Sequence, residues 1–195
     1  MSKVIKLAAL FPKHLNLNGD IGNLLVIQKR LQWSGVAAEM VPVTSTKLLS
    51  EFDFVIAGHG SKAAWADVIR LDPSFVKNLV SFIESGNTAL LVASASDLIG
   101  EAVTGSQSKP TDHRSEFVKT EGGVFVYQNS GIINKEFQWN KNTLLTLLHG
   151  PVLAKNPTLA DELIHRMGIE VNSDSKEFSK IDELAEASRR IAFEN

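Results

Sequence analysis

The chain has five histidines and no cysteine. Proton transfer near neutral pH therefore falls first to imidazole, and thiol catalysis, disulfides and thiolate zinc sites are excluded outright. His149 follows the apolar run of "LLTLLHGP" and precedes Gly150-Pro151. A titratable ring at the end of a strand stands where general bases sit. The same position equally suits a histidine hydrogen-bonded at a strand end, and the residues leave both readings open. His59 lies between Gly58 and Gly60 in "GHGSK". Those glycines let backbone N–H groups point at an oxyanion, or simply let a tight turn form; His59 is either a catalytic group or a turn residue. His14, His113 and His165 have weaker contexts. None of the five forms a metal-binding pair at helical spacing, so no metal is assigned, and no cofactor is expected.

The stretch "LLVASASDLIG", residues 90–100, poses the sharper question. An apolar run ends in small residues and a helix begins at once, which is how a nucleophile is mounted at the tip of a buried strand. The residue at the tip is Ala93, whose methyl group can attack nothing. Ser94 is one residue past the tip, so its hydroxyl is expected to aim away from His149, and Ser96 falls inside the first helical turn. "NLNGDIGN" carries two glycines and three asparagines just before a helix. It can present N–H groups to an anion. It matches neither a G-x-G-x-x-G nor a P-loop pattern, so we read it as a strand-to-helix connection that needs positive-φ residues.

These residues must be positioned by the elements around them. Strands are expected at residues 3–10, 36–43, in "FDFVIAGHG" and in "TALLVA". Helices are expected over 24–35, with Asp20 and Asn23 as candidate caps, over 63–70, and over 73–86 with Pro73 in the first turn. That alternation argues for βαβ units, a mostly parallel sheet and helices on both faces. "TGSQSKPTDH" reads as a loop, and "SEFVKT", "GGVFVYQ" and "NTLLTLL" as shorter strands, with antiparallel addition to the sheet as one option. "NPTLADELIHRMG" is a helix capped by Asn156 or Thr158. The tail places Phe178, Ile181, Leu184, Ala185 and Ile191 along one side of a docked terminal helix.

The bounds are plain. The chain has 195 residues, 44% hydrophobic and 22% charged, with a formal charge of -2. One α/β domain spanning 1–195 is expected. So small a charge gives no long-range pull toward nucleic acid or anionic lipid, and no apolar run approaches the ~20 residues of a membrane span. The N-terminal apolar stretch reads as a first strand, and the chain as cytoplasmic.

Several of these segments converge on one family. "FPKHLNLNGDIGNLLVIQKRLQWSG", "VIAGHGS", "LLVASASDLIG", "VYQNSG" and "LHGPVLAKNPTLADELI" resemble the cobyric-acid-synthase type of class I glutamine amidotransferases. Within that family they are most similar to the glutaminase subunit of lipid II isoglutaminyl synthase. The family opening has the form H-L-N-x-Y-G-D-x-G-N. Residues 14–23 resemble it, with Asn18 in place of the tyrosine. Residues 148–157 match the closing motif L-H-G-P-x-L-x-x-N-P in full. The resemblance implies a flavodoxin-like three-layer sandwich. It also implies hydrolysis of glutamine: a cysteine on the strand–helix elbow attacks the side-chain amide, and a histidine acts as base and then acid. Backbone N–H groups hold the oxyanion, and ammonia passes to a synthetase. For the isoglutaminyl synthase that partner is a Mur-ligase-like subunit that activates the glutamate of a cell-wall precursor.

By this resemblance His149 holds the base position and Ala93 the nucleophile position. The implied substrate-binding residues are Gly58, Gly60, Ser94, Arg114 and Gln128. The departures are concentrated at the elbow, where the family reads V-C-G-G-Y-Q-L-L-G and this chain reads Val92-Ala93-Ser94-Ala95-Ser96-Asp97 before Leu98-Ile99-Gly100. His59 interrupts a run of three glycines, and Gln128-Asn129 stand at an Asn-His pair. The neighbours of the lost cysteine have changed with it, yet they remain small, so geometry is kept while reactivity is gone. The expectation is a degenerate glutaminase subunit that hydrolyses no glutamine. The alternatives are a hydrolase or transferase with a re-purposed serine–histidine site, and a sensor that binds an amino acid without turnover.

Overall fold

The computed structural model describes residues 3–105, 109–119, 125–133, 137–172 and 176–194, of which 109–119, 125–133, 137, 193 and 194 are described by their backbone alone. In chain order the elements are β1 (Ile5–Leu10), α1 (Gly22–Trp33), β2 (Ala38–Val43), β3 (Phe54–Ala57), α2 (Lys62–Leu71), α3 (Phe75–Glu84), β4 (Thr88–Val92) and α4 (Ser94–Thr104). They continue with β5 (Lys109–Lys119), β6 (Phe125–Ile133), β7 (Phe137–Asn140), β8 (Thr143–Thr146), α5 (Val152–Lys155), α6 (Pro157–Arg166) and α7 (Lys176–Glu194).

Six strands form one sheet in the order β2-β1-β3-β4-β8-β7. All pairings in it are parallel except that of β7 with β8. The central strands β3, β4 and β8 are buried along their whole length, as strands covered on both faces must be. Alternation within each strand divides the core in two. Leu90 and Val92 of β4 join Leu7, Phe54 and Leu144 under α1 and α6, through Leu24, Ile27, Leu31, Leu163 and Ile164. Ala89 and Leu91 face the other way, against Val68 of α2, Phe75, Leu79 and Ile83 of α3, and Ile99 of α4. The result is the three-layer α/β sandwich that the strand–helix rhythm implies.

Several local readings need correction. Residues 109–113, read as loop, belong to β5, which pairs antiparallel with β6 in a separate two-stranded sheet. "NTLLTLL" contains β8, which runs parallel to β4. Its leucines and threonines are buried on both faces, so it belongs to the sheet interior rather than to an antiparallel addition. The antiparallel edge is β7, a four-residue strand with too little pattern to mark it. Pro73 precedes α3, whose N-cap is Ser74. The side chains of Asp20 and Asn23 do not cap α1: the N-cap is Ile21, with no side-chain bond.

The terminal helix docks through fewer residues than its pattern suggests. Phe178 and Ala185 are buried, while Ile181, Leu184 and Ile191 are exposed. Phe178 stands edge-on to Trp33 and under the guanidinium of Arg30. That fully buried arginine makes two 2.6 Å bonds to Asp161 of α6 and one of 2.8 Å to Asp182 of α7. Burial alone works against its charge, and the two carboxylates outweigh it, so its pKa is raised. Three helices are thereby tied at one charged, bidentate centre.

Candidate active site

The parallel strands β1, β3, β4 and β8 deliver their following loops to one end of the sheet. Open α/β sheets place ligands beyond that carboxyl end. At the end of β4 the chain turns sharply. Ala93 takes φ 50° and ψ -112°, a region that costs a residue bearing a side chain about 1–3 kcal/mol and survives only where its surroundings hold it. The Ala93 N–H donates to Thr146 O at the end of β8 (2.7 Å). The Asp97 N–H donates back to Ala93 O (2.9 Å), which starts α4. A strained strand-to-helix turn of this kind presents the side chain at its tip together with the N–H of the next residue. Here the tip carries a methyl group.

The next residue is fully committed. The Ser94 hydroxyl accepts from Gly60 N–H (3.0 Å) and from the Trp65 indole N–H (2.8 Å), and it donates to Gly60 O (3.1 Å). One donor and two acceptors are all a hydroxyl has. The side chain therefore turns toward the loop before α2, and its proton rests on a carbonyl rather than on an imidazole. The Ser94 N–H points at His59 Nδ1 (3.3 Å).

Two imidazoles meet here. The rings of His59 and His149 are edge-to-face with centroids 4.7 Å apart. Asn18 Nδ2 donates to His149 Nδ1 (2.6 Å), so the residue that replaces the tyrosine of the resembled motif touches the His149 ring. Burial pushes His59 below the ordinary histidine range, and the Asp20 carboxylate partly offsets this.

The two long sequence motifs are stitched together beneath these rings. Asp20 is fully buried; its Oδ2 accepts from His59 N–H (2.9 Å) and its Oδ1 from Gly150 N–H (3.0 Å). Asn23 Nδ2 donates to Gly150 O (3.1 Å), and its Oδ1 accepts from Leu153 N–H (2.9 Å). These are the groups read from sequence as helix caps; they instead hold the turn of residue 59 and the turn of residue 149 in one frame. The glycines belong to the same frame. A Cβ on Gly58 would lie 2.3 Å from Leu15 O, and one on Gly22 would lie 2.8 Å from the Pro151 Cβ. Close approach of loops, rather than a positive φ, requires glycine there. Gly19 does have φ +76 with open space around it, so the turn reading of "NLNGDIGN" holds for that glycine and not for Gly22.

The structure thus gathers Ala93, Ser94, Gly58, Gly60, His59 and His149 at one end of the sheet. The backbones of Arg114 and Gln128 lie in β5 and β6, opposite Ser130 and Glu116 respectively; their side chains are outside the described residues. His113 is likewise in β5. Two participants escaped the sequence reading. Trp65 has an unremarked place early in α2, and its indole reaches Ser94 across 29 positions. Asn18 stands out in the sequence only as a departure from the resembled motif. No local pattern reports either contact. Among the described residues no group of three or more His, Asp or Glu side chains is placed to hold a metal ion, and no helix is long and apolar enough to cross a membrane.

No protein-family model matches the chain, and no curated protein does. Solved structures do. A glutamine amidotransferase from Thermotoga maritima superposes with a TM-score of 0.50 over 98% of this chain and 94% of that one, at 9% identity. A second structure described as a glutamine amidotransferase gives a TM-score of 0.52 over 83% of this chain and 99% of its own, at 14% identity. The chain has the class I glutamine amidotransferase-like fold. At such low identity the likeness concerns the path of the backbone, and the amidotransferase-like sheet here ends in an elbow whose tip is alanine.

Proposed function

We propose that this chain is a non-hydrolysing member of the glutamine amidotransferase-like fold, a glutaminase-type subunit that keeps the shape and has lost the chemistry. The observation that carries the reading is the elbow at Ala93. Its backbone is held in the strained turn that a nucleophile needs, but the side chain has no reactive atom. His149 occupies the base position with nothing to deprotonate at the tip. By the same resemblance Gly58, Gly60, Ser94, Arg114 and Gln128 stand at substrate-binding positions. Ser94 does not take over as nucleophile, because all three of its hydrogen-bonding capacities are used within the loop.

The partner this reading favours is a cytoplasmic Mur-ligase-like synthetase that amidates a peptidoglycan precursor, with the chain as scaffold or regulator. The long motif matches at residues 14–23 and 148–157 support it, since they are the segments most similar to the isoglutaminyl synthase glutaminase. The test is an amidation assay with the chain and such a synthetase, supplied with either ammonium or glutamine as nitrogen source. Product is expected with ammonium alone. Product formed from glutamine would overturn the proposal.

A further inference from the structure

A backbone N–H can only donate. The contact from Ser94 N–H to His59 Nδ1 at 3.3 Å therefore fixes the state of that ring: Nδ1 carries a lone pair, the proton is on Nε2, and the imidazole is neutral. A second N–H brought to this turn, that of Gly60 in the loop after β3, is taken by the Ser94 hydroxyl. Both donors that a ligand oxygen would meet at the elbow are thus satisfied from inside the chain. His59 is in turn held by its own backbone, whose N–H is bonded to the buried Asp20, and by the His149 ring set against it.

We propose that His59 is a built-in plug of the elbow amide: its imidazole occupies the place where a carbonyl or oxyanion of a ligand would bind, and a ligand oxygen gains the Ser94 N–H only when the ring leaves or takes a proton. Protonation puts a hydrogen on Nδ1, facing the Ser94 N–H, and abolishes the bond. Among the described residues, the ionisable groups set against the ring are Asp20, which favours the protonated form, and His149. Burial holds the ring neutral below the ordinary histidine range, so the plug stays closed at neutral pH. The biological meaning rests on the proposed amidotransferase-like reading of the site, but the bond itself does not.

The experiment is amide hydrogen exchange of the full chain by NMR, with Ser94 read as a ratio to Leu91 of β4, so that a global loss of stability cancels. Histidine 15N shifts report the tautomer. In wild type at neutral pH, His59 Nδ1 is expected unprotonated and Ser94 protected. In His59→Gly the Ser94 ratio should rise on the order of tenfold, the equivalent of one lost hydrogen bond. His59→Asn, whose Oδ1 can accept in place of Nδ1, should restore protection. Should His59→Gly fail to fold, acid titration of wild type gives the same reading: Ser94 protection must fall, relative to Leu91, as Nδ1 gains its proton. An unchanged ratio in His59→Gly or through the titration, or an Nδ1-protonated ring at neutral pH, overturns the proposal. Glutamine hydrolysis by wild type would sink the non-hydrolysing reading and leave this bond standing; a freely exchanging Ser94 amide would do the reverse.

Discussion

The turn after β4 and the turn after β8 sit side by side at one end of the sheet, joined by the bond from Ala93 N–H to Thr146 O. They carry different things. The first has a strained backbone and an inert side chain at its tip. The second carries an imidazole and relies on the opening loop, through Asp20 and Asn23, to hold it. The contrast teaches that the shape of a site and its reactivity have separate supports. Shape is distributed over many backbone hydrogen bonds and close contacts, so it does not hang on one side chain. Nucleophilic reactivity would need a single atom that the methyl group of Ala93 lacks.

The largest expected effect comes from cutting the frame common to both turns. Asp20→Ala leaves the N–H groups of His59 and Gly150 without their carboxylate, at about 1–3 kcal/mol for each buried group left unsatisfied. We expect a loss of about 3 kcal/mol in urea denaturation; a loss within error of zero would mean that the turns do not depend on each other. Next is Gly58→Ala, whose added Cβ would stand 2.3 Å from Leu15 O. Because backbone cannot yield as a side-chain tip does, about 2 kcal/mol should be lost. A tolerated alanine would break the claim that close loop approach shapes this turn.

Smaller and opposite in sign is Ala93→Gly. Glycine relieves the strain at φ 50° but loses more chain entropy on folding, leaving a net gain of about 1 kcal/mol. A clear loss of stability would show that the elbow is not strained. The smallest effect is in pH dependence. His59 has a lowered folded pKa, so the unfolded chain binds this proton first as pH falls. Its stabilising contribution is complete above about pH 6.5, the unfolded value, and is lost as pH drops from there through the folded pKa. His59→Asn should flatten that limb of the stability curve. An unaltered limb would assign the pH dependence to other groups.

Much of the architecture was legible because it rests on periodicity. The apolar runs of β3 and β4 and the face of α3 formed by Phe75, Leu79, Phe82 and Ile83 behave as their spacing implies. The elbow was legible too, as small residues between an apolar run and a helix. What was not legible depends on distant partners. Asp20 and Asn23 look like helix caps locally, yet their partners lie 39 and about 130 positions away. The α7 pattern was read as one buried side, but the core it meets is narrow: Arg30, Asp182 and Phe178 dock the helix and leave Leu184 and Ile191 in solvent. Residues 109–113 carry turn formers and still lie in β5, where Lys109 and Pro110 pair with β6 ahead of an irregularity in register before Arg114.

The most direct test is release of ammonium from glutamine labelled with 15N at its side-chain amide, followed by NMR with purified wild-type chain alone. No ammonium above the buffer blank is expected. Steady release at an enzymatic rate, abolished by His149→Ala, would contradict the claim that the elbow has kept its form without its chemistry.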